Sequence, residues 1–309
     1  PLLKAYVERR HRQTYQRFAE PPSAADADRL YFQAESTRQS ALVPPGFDVV
    51  LQDPLGFPGM IESAWRAVAE KHAPRIWTTA VPGMPVWTPH GVTVDSRIPA
   101  VYFQIGFTRM GAERLVQVNY VMWFADLDES GAPSLDSLVW RVTLDRDGEP
   151  LLYDSVHGSG SDHLLFPVQR LSLRGNDDYW RQPLAMPQTE LPDGGVVLKL
   201  SVDGTTLQGI VERETAAPST VHEYRLVDYD RLFALPHPEG GTRSLFDSRG
   251  RVPGREAETP AWLQVSGIDE PAALRQLGRH PLTLVGRDHF DDAFLLDRLF
   301  EKNGVARSP

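Results

Sequence analysis

The sequence predicts an α+β protein: an antiparallel β-sheet core, arranged as a meander, sandwich or half-barrel, with N-terminal and C-terminal helices packed on it. Three observations carry this. Residues 2–20 and 58–73 place apolar side chains at helical spacing; residues 86–229 alternate with a period of two; and the connections in that middle region hold the Gly and Asp-Gly pairs of tight turns. The chain divides accordingly into an N-terminal helical segment (1–85), an antiparallel β core (86–229) and a loop-rich segment with C-terminal helices (230–309), expected to form one compact unit.

In the first segment, Leu3, Val7, Tyr15 and Phe18 line one side of a helix that Pro21 and Pro22 stop. Ser23 suits the N-cap of a second short helix reaching about Ser36. The run VPPGFDVVLQDPLGFPG is punctuated as a loop, and Ile61, Trp65, Val68 and His72 then form the stripe of an amphipathic helix in which His72 packs or caps the last turn.

The core begins at Val86. AVYFQIGFTRM, ERLVQVNYVMWF, SLVWRVTLD, PLLYDSV, VQRLSL, GVVLKLSV, TLQGIVE and VHEYRLVDY read as strands, joined by turns such as MGAE, DRDGE, PDGG and VDGTT. Alternation puts Val101, Phe103, Ile105 and Phe107 on the face shared by Val116, Val118, Tyr120, Met122 and Phe124. On the other face Gln104, Gln117, Asn119 and Arg141 could meet as a polar pocket or a partner-binding surface for a glycan, a peptide or another subunit. Beyond Tyr229 the pattern loosens. EPAALRQLGR reads as a helix capped by Gly278, and FDDAFLLDRLFEKNG as a final helix with Gly304 as its C-cap.

Composition narrows the chemistry. A chain of 309 residues buries a sizeable core without covalent staples. It has no cysteine, which excludes disulfides, thiolate nucleophiles and cysteine-bound metal clusters. A net charge of -9 with interspersed signs argues against nucleic acid, and no apolar run reaches the roughly 18 residues of a membrane span. The absence of cysteine points towards a bacterial periplasmic or envelope protein with its leader removed; Ser159 and Ser161 are where a Cys-to-Ser replacement would fall.

The stretch YDSVHGSGSDHLLF is the chief site candidate. Its glycines would let His157 and His163 turn towards one divalent transition metal, with Asp154 or Asp162 as oxygen donors and a third histidine from His90, His280 or, as the chosen candidate, His289. The function this implies is that of a metal-binding protein or metal-dependent enzyme with its site at the HGSGSDH loop; the alternative is a non-catalytic bacterial envelope or interaction protein that binds a partner or glycan through the polar face. A third reading makes Ser159 or Ser161 a nucleophile beside His163 and Asp162. HGSG is similar to the His-Gly oxyanion loop of α/β-hydrolases, but the chain lacks their G-x-S-x-G elbow. Asp126, Asp128 and Ser130 have calcium-loop spacing and read as an acidic surface loop, because Ser137 stands where a bidentate Glu belongs. Asp288, Asp291 and Asp292 read as caps of the last helix.

Overall fold

A computed structural model describes residues 2–19, 26, 28–35, 62–127, 131–175, 183–186, 196–211, 220–253, 270, 273–280 and 290–303. In chain order these form α1 (Leu2–Ala19), β1 (Leu30–Ala34), α2 (Glu62–Lys71), β2 (Arg75–Thr78), β3 (Met84–Thr88), β4 (Gly91–Asp95), β5 (Ala100–Met110), β6 (Glu113–Leu127), β7 (Pro133–Leu144), β8 (Pro150–His157) and β9 (Leu164–Pro167). There follow β10 (Leu171–Leu173), β11 (Leu184–Ala185), β12 (Val197–Leu200), β13 (Leu207–Val211), β14 (Val221–Asp228), a 3-10 turn at Tyr229–Phe233, β15 (Leu235–Pro236), β16 (Thr242–Arg243), α3 (Leu295–Leu299) and β17 (Phe300–Lys302).

The α+β expectation with an antiparallel core is incorrect. The protein is mostly β, 49% strand against 15% helix, and its centre is one curled mixed sheet of eleven strands. Their order is β11-β9-β8-β7-β6-β5-β14-β1-β2-β12-β13. Strands β5 to β9 do pair antiparallel with their neighbours. The order then breaks: β14 lies parallel between β5 and β1, and β12 lies parallel to β2. Short turns enforce only antiparallel neighbours, whereas parallel pairs join segments distant in sequence, which no local turn signal reports.

Three helical expectations also change. The segment expected as a helix to Ser36 contains β1, because Tyr31 and Phe32 are both buried on opposite sides of the strand, in separate apolar clusters. At the other end, α3 spans only Leu295–Leu299 before the chain becomes β17 and pairs with β10. Ala273–Arg279, expected as helix, runs as turns and a single bridge from Arg275 to Arg251. Gly304, Asp128, Ser130, Asp288 and His289 lie outside the described residues.

The curl buries one face around α2. Trp65, Val68 and Ala69 of α2 pack with Val101, Phe103, Val118, Tyr120, Met122 and Phe124, and the Tyr120 hydroxyl donates to Ala69 O at 2.6 Å. Helix α1 lies against β13 and reaches the opposite edge strand, where the Tyr15 hydroxyl donates to Ala185 O of β11. Edge strands expose unpaired backbone groups, so a helix bridging both edges protects them. The second face carries its own core. Tyr102, Val121, Trp123 and Val139 are covered by Trp87, Val92, Val94, Leu232, Phe246, Leu274 and Phe290. No described helix is long and apolar enough to cross a membrane.

His72 follows the last turn of α2, its N–H bonded to Val68 O. Burial first, then the adjacent Lys71 charge, lowers its ring from 6.5 to about 4. The unfolded chain therefore binds a proton that the folded chain refuses, and the stability this contributes is lost as pH falls from 6.5 towards 4. Allowing for the ring's partial exposure, His72→Asn is expected to remove about 1–2 kcal/mol of the acid-induced loss over that window. Urea unfolding of both proteins at pH 7 and pH 4.5 checks this; an unchanged pH dependence rules it out.

Candidate functional site

Strand register decides what surrounds the HGSGSDH loop. In β7 and β8, Leu138 pairs with His157 and Arg141 with Asp154, so the two pairs lie on opposite faces of the sheet. His157 belongs to the face of Leu138 and Trp140. Asp154 belongs to the face of Val139, and His163, beside the first residue of β9, returns to it. The pleat thus sends the two loop histidines apart, each to its own carboxylate. The sequence expectation that glycines would swing both rings to a common centre overlooked this alternation.

On the first face, His157 Nε2 lies 2.9 Å from Asp136 Oδ1, and His157 Nδ1 lies 2.8 Å from Ser159 Oγ. Ser159 N–H also donates to Nδ1, at 3.2 Å. A backbone N–H can only donate and a carboxylate only accept, so the imidazole proton sits on Nε2 and the Nδ1 lone pair faces the Ser159 hydroxyl. Ser161 Oγ stands 3.2 Å from Ser159 Oγ. Ser159 is 5% exposed, whereas Ser161 is exposed. The product is a continuous Asp136–His157–Ser159 array.

The backbone holds that array in place. Gly160 N–H returns to His157 O, with Gly160 at φ 90°, and His157 N–H meets Ser161 O. Gly158 N–H donates to Ser137 O, while Gly158 O accepts from Arg275 N–H. A Cβ at position 158 would fall 1.9 Å from Ser137 Oγ and 3.1 Å from Leu274 Cδ2. Only glycine permits this approach of the loop to β7.

On the second face, a row of opposed residues crosses four strands: Gln104, Asn119, Arg141 and Asp154. Gln117 lies in the next row and donates to Thr143 Oγ1. Asn119 and Arg141 are buried, and the C-terminal segment of the same chain covers Arg141. Arg141 grips Asp154 with two hydrogen bonds, Nε to Oδ1 at 2.9 Å and an outer nitrogen to Oδ2 at 2.5 Å. Its remaining nitrogen donates to Phe290 O, and its guanidinium lies 3.7 Å from the centroid of the Phe290 ring. His163 Nε2 lies 2.8 Å from Asp154 Oδ2. Burial alone would raise the Asp154 carboxyl, but the Arg141 charge and the His163 hydrogen bond hold it below its ordinary value. For His163, burial lowers the ring and outweighs the opposing pull of Asp154. The ring is neutral at pH 7, its proton donated to Asp154.

The remaining candidates scatter. Asp162, at φ 54°, pairs with Arg10 of α1 at 2.5 Å. His90 sits exposed in the turn between β3 and β4, and Asp126 lies in β6 opposite Ser134. Asp292 Oδ1 accepts from Phe294 N–H just before α3, but Asp291 does not cap the helix; it binds His280 through both the ring and the backbone. Among the described residues no group of three or more His, Asp or Glu is placed to share a metal. Asp136 was not legible in the sequence: a register shift between Thr143 and Leu144 slides β7 by one residue against β8, and counting outward from the DRDGE turn without it would place Asp136 on the face away from His157. Known families, curated proteins and solved structures give no match to this chain.

Proposed function

We propose that the protein is a serine hydrolase acting by acyl transfer on an ester or amide, with Ser159 as nucleophile, His157 as general base and Asp136 as the carboxylate that orients it. The single observation behind this reading is the unbroken Asp136–His157–Ser159 array, with separations of 2.9 and 2.8 Å. A serine hydroxyl is a poor nucleophile until an adjacent base accepts its proton. Here Nδ1 takes the Ser159 proton as Oγ adds to the substrate carbonyl, and the same proton then passes to the leaving group. Asp136 fixes the tautomer and steadies the positive ring. The ring stands end for end relative to the common protease arrangement, in which Nε2 faces the serine; the roles depend on the hydrogen bonds, not on which nitrogen makes them. Asp136 replaces Asp162 of the sequence expectation, and His157 replaces His163.

A fluorophosphonate probe tests this directly. The wild-type protein is expected to label on Ser159, Ser159→Ala to lose labelling, and Ser161→Ala to keep it. His157→Gln is expected to slow labelling by about 10²-fold or more, the usual worth of a positioned base. A wild-type protein that stays unlabelled, or a Ser159→Ala variant labelled as fast as wild type, defeats the reading.

A further inference from the structure

Two imidazoles meet one phenylalanine on the face of the sheet away from Ser159. His163 and His280 each approach the Phe290 ring in a T-shaped contact, with centroids 5.4 and 5.5 Å away. Each ring is anchored by its own carboxylate: His163 Nε2 by Asp154 Oδ2 at 2.8 Å, and His280 Nδ1 by Asp291 Oδ2 at 2.9 Å. Ionised carboxylates only accept, so the nitrogen of each ring that faces its carboxylate carries a proton, and the other nitrogen is the one left to bind something else. Those other atoms, His163 Nδ1 and His280 Nε2, are buried and have no hydrogen-bond partner among the described residues. The two side chains are only 8% and 1% exposed, so bulk water does not serve them.

An unmet buried polar atom is costly, and these two belong to rings that pack on the same phenylalanine. We propose that His163 Nδ1 and His280 Nε2 are ligands of a single transition-metal ion of the zinc class, with Asp154 and Asp291 as the outer carboxylates. A carboxylate on the far nitrogen is the usual partner of a metal-bound histidine: it sets the tautomer, aims the ring and raises its basicity. The same device occurs here twice, on strands and turns distant in sequence. Nitrogen donors select a borderline ion over calcium or magnesium, which take oxygen. Two protein ligands leave further positions of a tetrahedral ion for water or a small anionic ligand.

Cobalt(II), which fills zinc sites and absorbs visible light there, is the probe. Elemental analysis of the intact purified protein and titration with cobalt are expected to give one ion per chain with imidazole-type visible bands. His280→Gln is expected to abolish these bands, and Asp291→Asn to weaken uptake by about 10–100-fold. His163→Gln provides a second ligand variant, with circular dichroism to confirm that each variant folds. Absence of uptake by the wild-type protein, or uptake unaltered in both histidine variants, overturns the proposal. Ser159→Ala is expected to bind cobalt normally, and chelators to leave fluorophosphonate labelling intact, so this proposal and the serine reading stand or fall separately.

Discussion

Arg141→Met is expected to cost about 3–5 kcal/mol of folding free energy at pH 7, the usual consequence of removing one partner from a buried ion pair. Arg141 is 5% exposed and Asp154 is fully buried. Without the guanidinium, Asp154 keeps a charge that burial penalises and retains only the His163 hydrogen bond among those described above. The variant also releases Phe290 O, so the C-terminal segment loses its hold on the sheet. The sign of the pH dependence identifies the cause. In the wild-type protein the carboxyl is held below its ordinary value, so the stability it contributes is present above that value and fades as pH falls. In the variant, burial unopposed by Arg141 raises the carboxyl, and protonation then relieves the penalty. The deficit against wild type is therefore expected to be largest at neutral pH and to shrink on acidification. Adding Asp154→Asn removes the stranded charge while keeping an oxygen for His163, and is expected to restore most of the loss. Urea midpoints for the two single variants and the double variant, measured at pH 7 and pH 5, decide this; additive costs that ignore pH would show that the pair is not coupled.

Gly158→Ala is expected to act on stability and on the proposed chemistry together. The added methyl meets Ser137 Oγ at 1.9 Å, with Leu274 Cδ2 and Ser137 Cβ behind it at 3.1 and 3.2 Å. The hydroxyl can rotate away, but the other two contacts remain, for a cost of about 1–3 kcal/mol, typical of overpacking. Because Gly158 lies between His157 and Ser159, moving the loop off β7 also moves His157 away from Asp136. Labelling at Ser159 is expected to fall by about 10²-fold, the scale set by small displacements in active sites. Ser137→Ala removes the closest obstruction, so the Ser137→Ala, Gly158→Ala pair is expected to recover part of both losses. Equal stability and labelling in Gly158→Ala and wild type would mean that the close approach has no bearing on the loop.

The residues that define the candidate site were partly visible in the chain. HGSGSDH drew attention because small residues between histidines are permissive, and the His157–Ser159 contact spans only two positions. Asp136 lies 21 residues upstream, where only the β7–β8 register brings it back. That register is set by a bulge between Thr143 and Leu144, which the length of the DRDGE turn does not announce. Register also separates His157 from His163. Nothing near His163 in sequence indicates His280, Asp291 or Phe290, which arrive when the last segment folds over Arg141.

By itself the sequence determined the strands β5 to β8, the apolar face running from Val101 to Phe124, and helices α1 and α2. Each depends on periodicity and turn chemistry within a few residues. Tertiary structure alone decided that the sheet is mixed, that β14 enters between β5 and β1, and that the Tyr31–Phe32 segment is a strand. It also decided that two carboxylate–histidine pairs converge on one phenylalanine. The physical reason is the range of the forces that leave a trace in the chain. Backbone sterics and alternation act between neighbours and are written locally, while most of the parallel pairing and the covering of the buried charge are settled only when segments distant in the chain compete for the same face.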